Sequence, residues 1–443
     1  MKKIFLQLCA IFLVFSANVV EATRPVHWTI STQSEFLQGE SNGVSVTSDG
    51  RLTPSPAFEE ILDAKEAFIY CAAKDKNGNI YFGSGSTGKV FRWGPRGDGR
   101  EWSQVEEPGI YSLTVDSLNR VYAGSGPDGK VYRFDENGQP EIFFNPKQKY
   151  IWALSTDHQN NLFVATGPRG IIYKVDPQGE STLLYDSREI HIVSLDWDIN
   201  GNLLAGTDPG GLLLRISPNG APFVLFDSPL REIKALTTDR YGNIFLAALG
   251  AIATPLPPSG NASQKTPEAS ISLVKEKGRD HLQESTIEVS GTESGSQLQI
   301  YRIDKTNLVE TIYASDNHVA FDLLLKNDGS LLVATGNKGR IISIDNNKFV
   351  TLLVDTPEEQ VTQLVESNGK IYATTSNLGK VFQLHSQASK AGTYKSKVLD
   401  GKMPVQWGVI RWQTTGPRDK GIKLYTRSGN TETPDETWSQ WDG

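Results

Sequence analysis

The chain has 443 residues, with 44 Lys and Arg against 51 Asp and Glu and a formal net charge of −7. Its basic residues are spread along the chain, so nucleic acid is not an expected partner. Beyond the first two dozen residues no run is long or apolar enough to span a bilayer, and a chain of this size can bury a large core without crosslinks.

Met1–Ala22 reads as a signal peptide. Lys2 and Lys3 form its positive region, Ile4–Ser16 its apolar core, and Val20-Glu21-Ala22 a small-residue cleavage site. This predicts export to the periplasm or beyond. Cys9 falls inside that segment, which leaves Cys71 as the one remaining cysteine, without an intramolecular partner. Cys71 lies in a strand-like run and reads as a small buried apolar residue. Residues 23–56 form a polar N-terminal extension, in which Val44–Pro54 reads as a hairpin turning at Asp49-Gly50.

From Ala57 the chain repeats. Asp75, Asp116, Asp157, Asp198 and Asp239 follow one another at 41-residue steps, as do Gly88, Gly129, Gly170 and Gly211. The glycine series resumes at Gly339 and Gly379; the gap 339 − 211 = 128 is two periods of 41 plus 46, the length of an insertion at 251–296. Each period holds four short aromatic and β-branched runs bounded by Asp, Asn, Gly and Pro. In the clearest copy these are A (Ile151–Thr156), B (Asn161–Thr166), C (Gly170–Val175) and D (Ser181–Tyr185). The apolar period is 2, which excludes helical repeats of similar length. Four antiparallel strands in about 40 residues form the blade of a β-propeller.

Seven A–B hairpins are counted, turning at Asp75, Asp116, Asp157, Asp198, Asp239, Asp328 and Asn368. The expected fold is therefore all-β, a seven-bladed β-propeller over 57–385 with about 41 residues per blade. Ala57–Asp63 looks like the D strands Ser181–Asp186 and Pro222–Asp227, whereas the final blade, Val361–Leu384, lacks a D strand. The N-terminal strand is expected to close that blade and so remove open sheet edges.

The insertion at 251–296 interrupts the fifth blade between Ile244–Ala248 and Gln297–Ile303. It is rich in Pro, Ser and charge and is expected to be a loop, with Ser270–Val274 and Thr286–Val289 as a short flap. Residues 386–393 read as a linker. Tyr394–Gly443 carries Trp407, Trp412, Trp438 and Trp441 and two alternating runs, Gly408–Gln413 and Gly421–Thr426. It reads as a partial β-sandwich-like appendage, about half the length such modules need.

A–B and C–D turns emerge at one end of such a ring, B–C and D–A connections at the other. The A–B and C–D turns repeat closely. The other set varies, and variable loops on a rigid scaffold commonly carry function. That face supplies the candidate ligand-contacting residues Asp128, Arg169, Arg188, Glu189, His191, Asp208, Arg231, His318, Lys338 and Glu359, and the insertion overhangs it. Paired cysteines and H-x-x-x-H spacing are absent, so neither a metal site nor a cofactor is expected. His191 and His318 each precede an A strand, where they could form an acid/base pair at the channel mouth.

The copies Asn79–Trp93 (NIYFGSGSTGKVFRW) and Arg120–Phe134 (RVYAGSGPDGKVYRF) resemble propellers of the NHL-repeat, gluconolactonase-like and streptogramin-lyase-like group, also labelled WD-repeat-like. The run YTRSGNTETPDETWSQW is similar to a motif that follows such propellers in exported bacterial proteins. A gluconolactonase-like relation would imply a channel metal held by Glu, Asn and Asp, for which no matching set is found. A streptogramin-lyase-like relation would imply a His–Glu pair near the mouth, with His191 or His318 and Glu189 or Glu359 as the positions. Three functions follow as expectations. The first is a non-catalytic exported propeller that binds a protein, peptide or glycan through the B–C/D–A face. The second is a hydrolase or lyase acting on a lactone or cyclic ester at the channel mouth, and the third a structural module of a larger exported protein.

Overall fold

The computed structural model describes residues 27–250, 297–402, 407–415 and 421–443. The expected signal peptide and the insertion with its flap strands lie outside the described residues. The rest is an all-β propeller, and no helix among the described residues is long and apolar enough to cross a membrane.

Six sheets make the ring. Sheet I has six strands in the order Gln360–Ser367, Lys370–Ala388, Pro56–Lys74, Ile80–Ser84, Lys89–Trp93 and Gly99–Gln104. Sheet II contains Gly109–Val115, Val121–Gly126, Val131–Phe134 and Pro140–Phe144. Sheet III contains Tyr150–Thr156, Leu162–Gly167, Ile171–Val175 and Ser181–Asp186, and sheet IV His191–Trp197, Leu203–Asp208, Leu212–Ile216 and Pro222–Asp227. Sheet V contains Glu232–Thr238, Ile244–Leu249, Leu298–Ile303 and Val309–Ser315. Sheet VI contains Ala320–Leu325, Leu331–Thr335, Arg340–Ile344 and Val350–Asp355, and the hairpin Val44–Val46 with Leu52–Pro54 extends its outer edge.

Six sheets, rather than seven separate blades, correct the repeat count. The physical reason is strand continuity. Pro56–Lys74 and Lys370–Ala388 are 19-residue strands, and each runs through two of the expected wedges. The last and first wedges therefore share one sheet. Both strands are irregular at the crossing: Lys65 has φ 57°, and the register shifts at Gly379. Within this sheet Asp63, Leu62 and Glu60 pair antiparallel with Lys380, Val381 and Phe382, so the segment N-terminal to the repeat lies in register against the last strand of the ring.

The repeat is built from local chemistry. Asp75, Asp116, Asp157, Asp198 and Asp239 each use Oδ1 to accept the backbone N–H groups two and four residues on. This is the side-chain mimic of a backbone turn that Asp favours. The fourth turn residue takes positive φ, which explains Gly78, Asn119, Asn160, Gly201 and Gly242 there. At the other end a buried hydroxyl closing each B strand accepts the N–H five residues on. The pairs are Ser84–Lys89, Ser125–Lys130, Thr166–Ile171, Thr207–Leu212, Thr335–Arg340 and Thr375–Lys380. Ala248 holds the equivalent place in sheet V, next to the insertion.

The innermost strands are tied to one another. Each carries a β-bulge, and at several of these the side chain after the bulge reaches the neighbouring inner strand. Ser112 Oγ donates to Ile151 O at 3.2 Å and Ser194 Oγ to Ile233 O at 2.9 Å; Cys71 Sγ lies 3.5 Å from Ile110 O. Asp322 accepts Leu364 N at 2.8 Å. The buried Cys71 therefore occupies a tie position, and burial pushes its thiol pKa up. The apolar core is a ring of clusters between neighbouring sheets. Phe163, Ala165 and Ile172 of sheet III, for example, pack with Ile192, Leu203 and Leu214 of sheet IV.

Three further expectations change. The 386–393 linker is in part strand: Lys370–Ala388 runs into it, and Thr393–Lys395 pairs with Glu40–Asn42. The alternating run at 408–413 forms no strand, and the run at 421–426 contributes one isolated bridge, Thr426 to Asp442. Val409 is 84% exposed and Trp412 50% exposed, so the period-2 pattern has no facing sheet among the described residues. A β-sandwich-like appendage is therefore not formed by these residues. The fold also adds a short helix, Gln33–Phe36, which Thr32 and Glu35 cap reciprocally.

Candidate binding face

The B–C and D–A connections are knitted together by their own charges. Glu107 pairs with Lys130 at 2.8 Å and also accepts the Asp128 backbone N–H at 3.2 Å. Glu189 accepts Gly210 N at 2.7 Å, and Glu359 accepts Asn377 Nδ2 at 2.9 Å. Arg169 pairs with Asp186, and Arg231 with Asp208 at 2.7 Å. Lys338 donates its backbone N–H to Glu359 O at 3.1 Å. Arg188 is exposed in the same loop as Glu189. Most of the ten candidates thus hold the loops in place, a role that counting charges on loops does not reveal.

The two histidines do not form a pair. His191 Nδ1 accepts the Trp152 indole N–H at 2.9 Å, whereas His318 Nδ1 meets the Tyr313 hydroxyl at 2.8 Å. Burial lowers both, His318 to about 4, so both imidazoles are neutral at pH 7. His191, Asp208 and Arg231 gather on sheets IV and V. Lys338 and Glu359 instead border a cavity of about 320 Å³ beside sheet VI, which Gly39, Glu40 and Ser41 of the N-terminal extension also line. Among the described residues no group of three His, Cys, Asp or Glu side chains is placed to hold a metal ion.

Sequence reasoning missed an aromatic arc at this same end. Phe68 and Tyr70 stack at 5.5 Å, and Tyr70 stacks on Tyr111 at 5.7 Å. Tyr111 meets Trp152 at 5.1 Å and Tyr150 at 5.9 Å, and Trp152 meets His191 edge-on at 5.6 Å. All six side chains are half-buried. In sheets II to IV they sit at or near the start of the inner strands, and in sheet I just past the crossing at Lys65, and so at the mouth of the ring. Tyr70, Tyr111 and Trp152 are 41 residues apart, so the repeat itself carried the signal. The rings lie close over Gly85, Gly126 and Gly167. A Cβ at Gly126 would come within 2.8 Å of both Tyr150 and Tyr111, and one at Gly85 or Gly167 would collide with Tyr70 or with His191 and Trp152. Glycine is needed at these positions for close approach. Among the described residues the Tyr70, Tyr111 and Tyr150 hydroxyls have no hydrogen-bond partner, while burial raises the pKa of Tyr70 and Tyr111.

No protein-family model matches the sequence, and no curated protein matches it. Solved structures do match. Virginiamycin B lyase from Staphylococcus aureus superposes with a TM-score of 0.58 at 11% identity, covering 75% of this chain and 99% of that one. A streptogramin B lyase gives 0.57 at 12% identity over 74% and 97%. The extracellular domain of a putative hybrid two-component system from B. thetaiotaomicron gives 0.54 at 15% identity, over 77% of this chain and 44% of that one. These likenesses share the β-propeller fold. At such identities they carry no residue roles.

Proposed function

We propose that the protein is an exported, non-catalytic propeller that binds a protein, peptide or glycan at the mouth of its ring. The observation that carries this is the aromatic arc, with three phenol hydroxyls that have no hydrogen-bond partner among the described residues. Tyrosine and tryptophan supply large contact area at low entropic cost and a polar tip for orientation. The loops around the arc are cross-braced, so the surface is preorganised, which lowers the cost of binding. Export rests on the N-terminal sequence pattern and agrees with fold neighbours that are described as extracellular domains.

The test is a screen of peptide and glycan arrays with the mature protein, repeated with Tyr111→Ala. Tyr111 touches three other rings of the arc, so its loss is expected to weaken a captured ligand at least ten-fold while the ring stays folded. A ligand held equally by Tyr111→Ala overturns the placement.

The fold likeness to the lyases favours a second reading, catalysis at His191, because one of those lyases is described as catalytically inactive when a histidine is replaced by alanine. The Trp152 indole N–H on Nδ1 places the neutral imidazole's proton on Nε2. In that tautomer His191 offers a donor at its other nitrogen and no lone pair for a base. We therefore rank binding first.

A further inference from the structure

At the opposite end of the ring, the gap between sheets III and IV is not filled. A cavity of about 410 Å³ opens there, walled by Phe163, Leu184, Trp197, Leu203 and Ile216, with Lys174 beside them. The repeat explains the hole. Between sheets I and II the same gap holds Trp102, packed on Tyr81 at 4.8 Å and on Phe134 at 5.2 Å. Leu184 and Ile216 stand two 41-residue periods after Trp102 and Phe134, and both are smaller. Trp197 does not fill the space, because its indole N–H is pinned to Ser155 Oγ at 2.8 Å and its ring stands edge-on to Phe163 at 4.9 Å.

The cavity also carries an unneutralised cation. Lys174 occupies the position of Arg92, Arg133 and Arg215 in the neighbouring repeats. Arg133 is paired with Glu141 and Arg215 with Asp198, while Arg92 donates to Asn79. Lys174 has no carboxylate within ion-pair distance among the described residues and lies 5.8 Å over the Phe163 ring. Asp157 at the rim is spent within its own turn, accepting from Gln159 N, Asn161 N and Asn161 Nδ2.

We propose that this cavity docks an extended peptide segment, which seats one large apolar side chain between the sheets and sets an adjacent carboxylate on Lys174. Charge complementarity selects the peptide: the hole is apolar and its free charge is positive. The site lies away from the aromatic arc and stands or falls independently of it.

The test uses the mature full-length protein and two fluorescein-labelled pentapeptides, one alternating phenylalanine with glutamate and the other phenylalanine with lysine. The glutamate peptide is expected to bind saturably, and the lysine peptide at least ten-fold more weakly. Leu184→Trp, which copies the way Trp102 fills its gap, is expected to weaken the glutamate peptide at least ten-fold. Lys174→Glu is expected to invert the preference between the peptides. Thermal unfolding monitors the fold; if Leu184→Trp does not fold, Leu184→Phe and Lys174→Glu carry the test. Absence of saturable binding, equal binding of both peptides, or unchanged affinity in the filled variant overturns the proposal.

Discussion

Single side chains in this ring work mostly as ties. Asp322 is the most consequential, because its carboxylate joins one inner strand to the next through Leu364 N yet is so desolvated that its pKa rises from 3.8 to about 7. A raised carboxyl pKa means that the folded state keeps a proton the unfolded chain has lost. Its contribution to stability is complete below pH 3.8 and declines as pH rises toward 7. The carboxamide introduced by Asp322→Asn would keep an acceptor for Leu364 N without ionising. That variant is thus expected to match the parent near pH 3 and to exceed it increasingly up to pH 8, by at most about 4 kcal/mol. Urea unfolding of both proteins across that range checks this. His318 has the opposite sign, since its lowered pKa costs stability as pH falls from 6.5 toward 4, but it is common to both proteins and cancels. The turn aspartates were legible because each repeats at a fixed step and accepts the backbone N–H groups of its own turn. Asp322 was not, because its partner lies 42 residues away on another strand.

At the scale of strands and loops, the repeat places an acid in a D–A connection and a lysine at the head of the next C strand. Glu66 lies 3.5 Å from Lys89, Glu107 2.8 Å from Lys130 and Glu358 3.0 Å from Lys380, and all three acids are buried. The spacing of 23 residues in the first two pairs was present in the sequence, but a charge on a variable loop reads equally well as a ligand contact. Only the folded loops show which charges are already committed. Lys130→Met is expected to cost about 3 kcal/mol, because it leaves Glu107 charged and unpaired in a buried loop. The double variant Glu107→Gln/Lys130→Met is expected to recover most of that loss. Denaturant unfolding of the four proteins in this cycle measures the coupling, and a coupling near zero would mean that the pair is solvated. The tryptophan-rich run at 407–413 gives the converse lesson: local alternation is permissive for a strand, but a strand needs a neighbour, and none faces it among the described residues.

At the scale of the molecule, the period was legible and the number of sheets was not. Turn positions follow from residue type at fixed steps, whereas the merging of two wedges depends on strands that continue through Lys65 and past Gly379 without ending. The pairing of Ala57–Asp63 with the last strand of the ring follows the same logic as the other outer strands, and their shared composition made it legible. Removing residues 56–63 is expected to uncover the edge at Lys380–Leu384 and to produce self-association in sedimentation experiments. A synthetic peptide of residues 56–65 is expected to suppress that association. A deletion variant that stays monomeric and unfolds in one cooperative transition would show that the closing strand is dispensable.

Asp63 and Lys380 are neighbours in space and 317 positions apart along the chain (380 − 63). A ribosome making this protein, or a pore passing it head first, delivers the first partner long before the second. Until the second emerges, the strand that carries Asp63 waits with one side unmatched. The time between their arrivals is the interval in which the chain most needs protection from its own copies and from proteases, and no local change in turn or core shortens it.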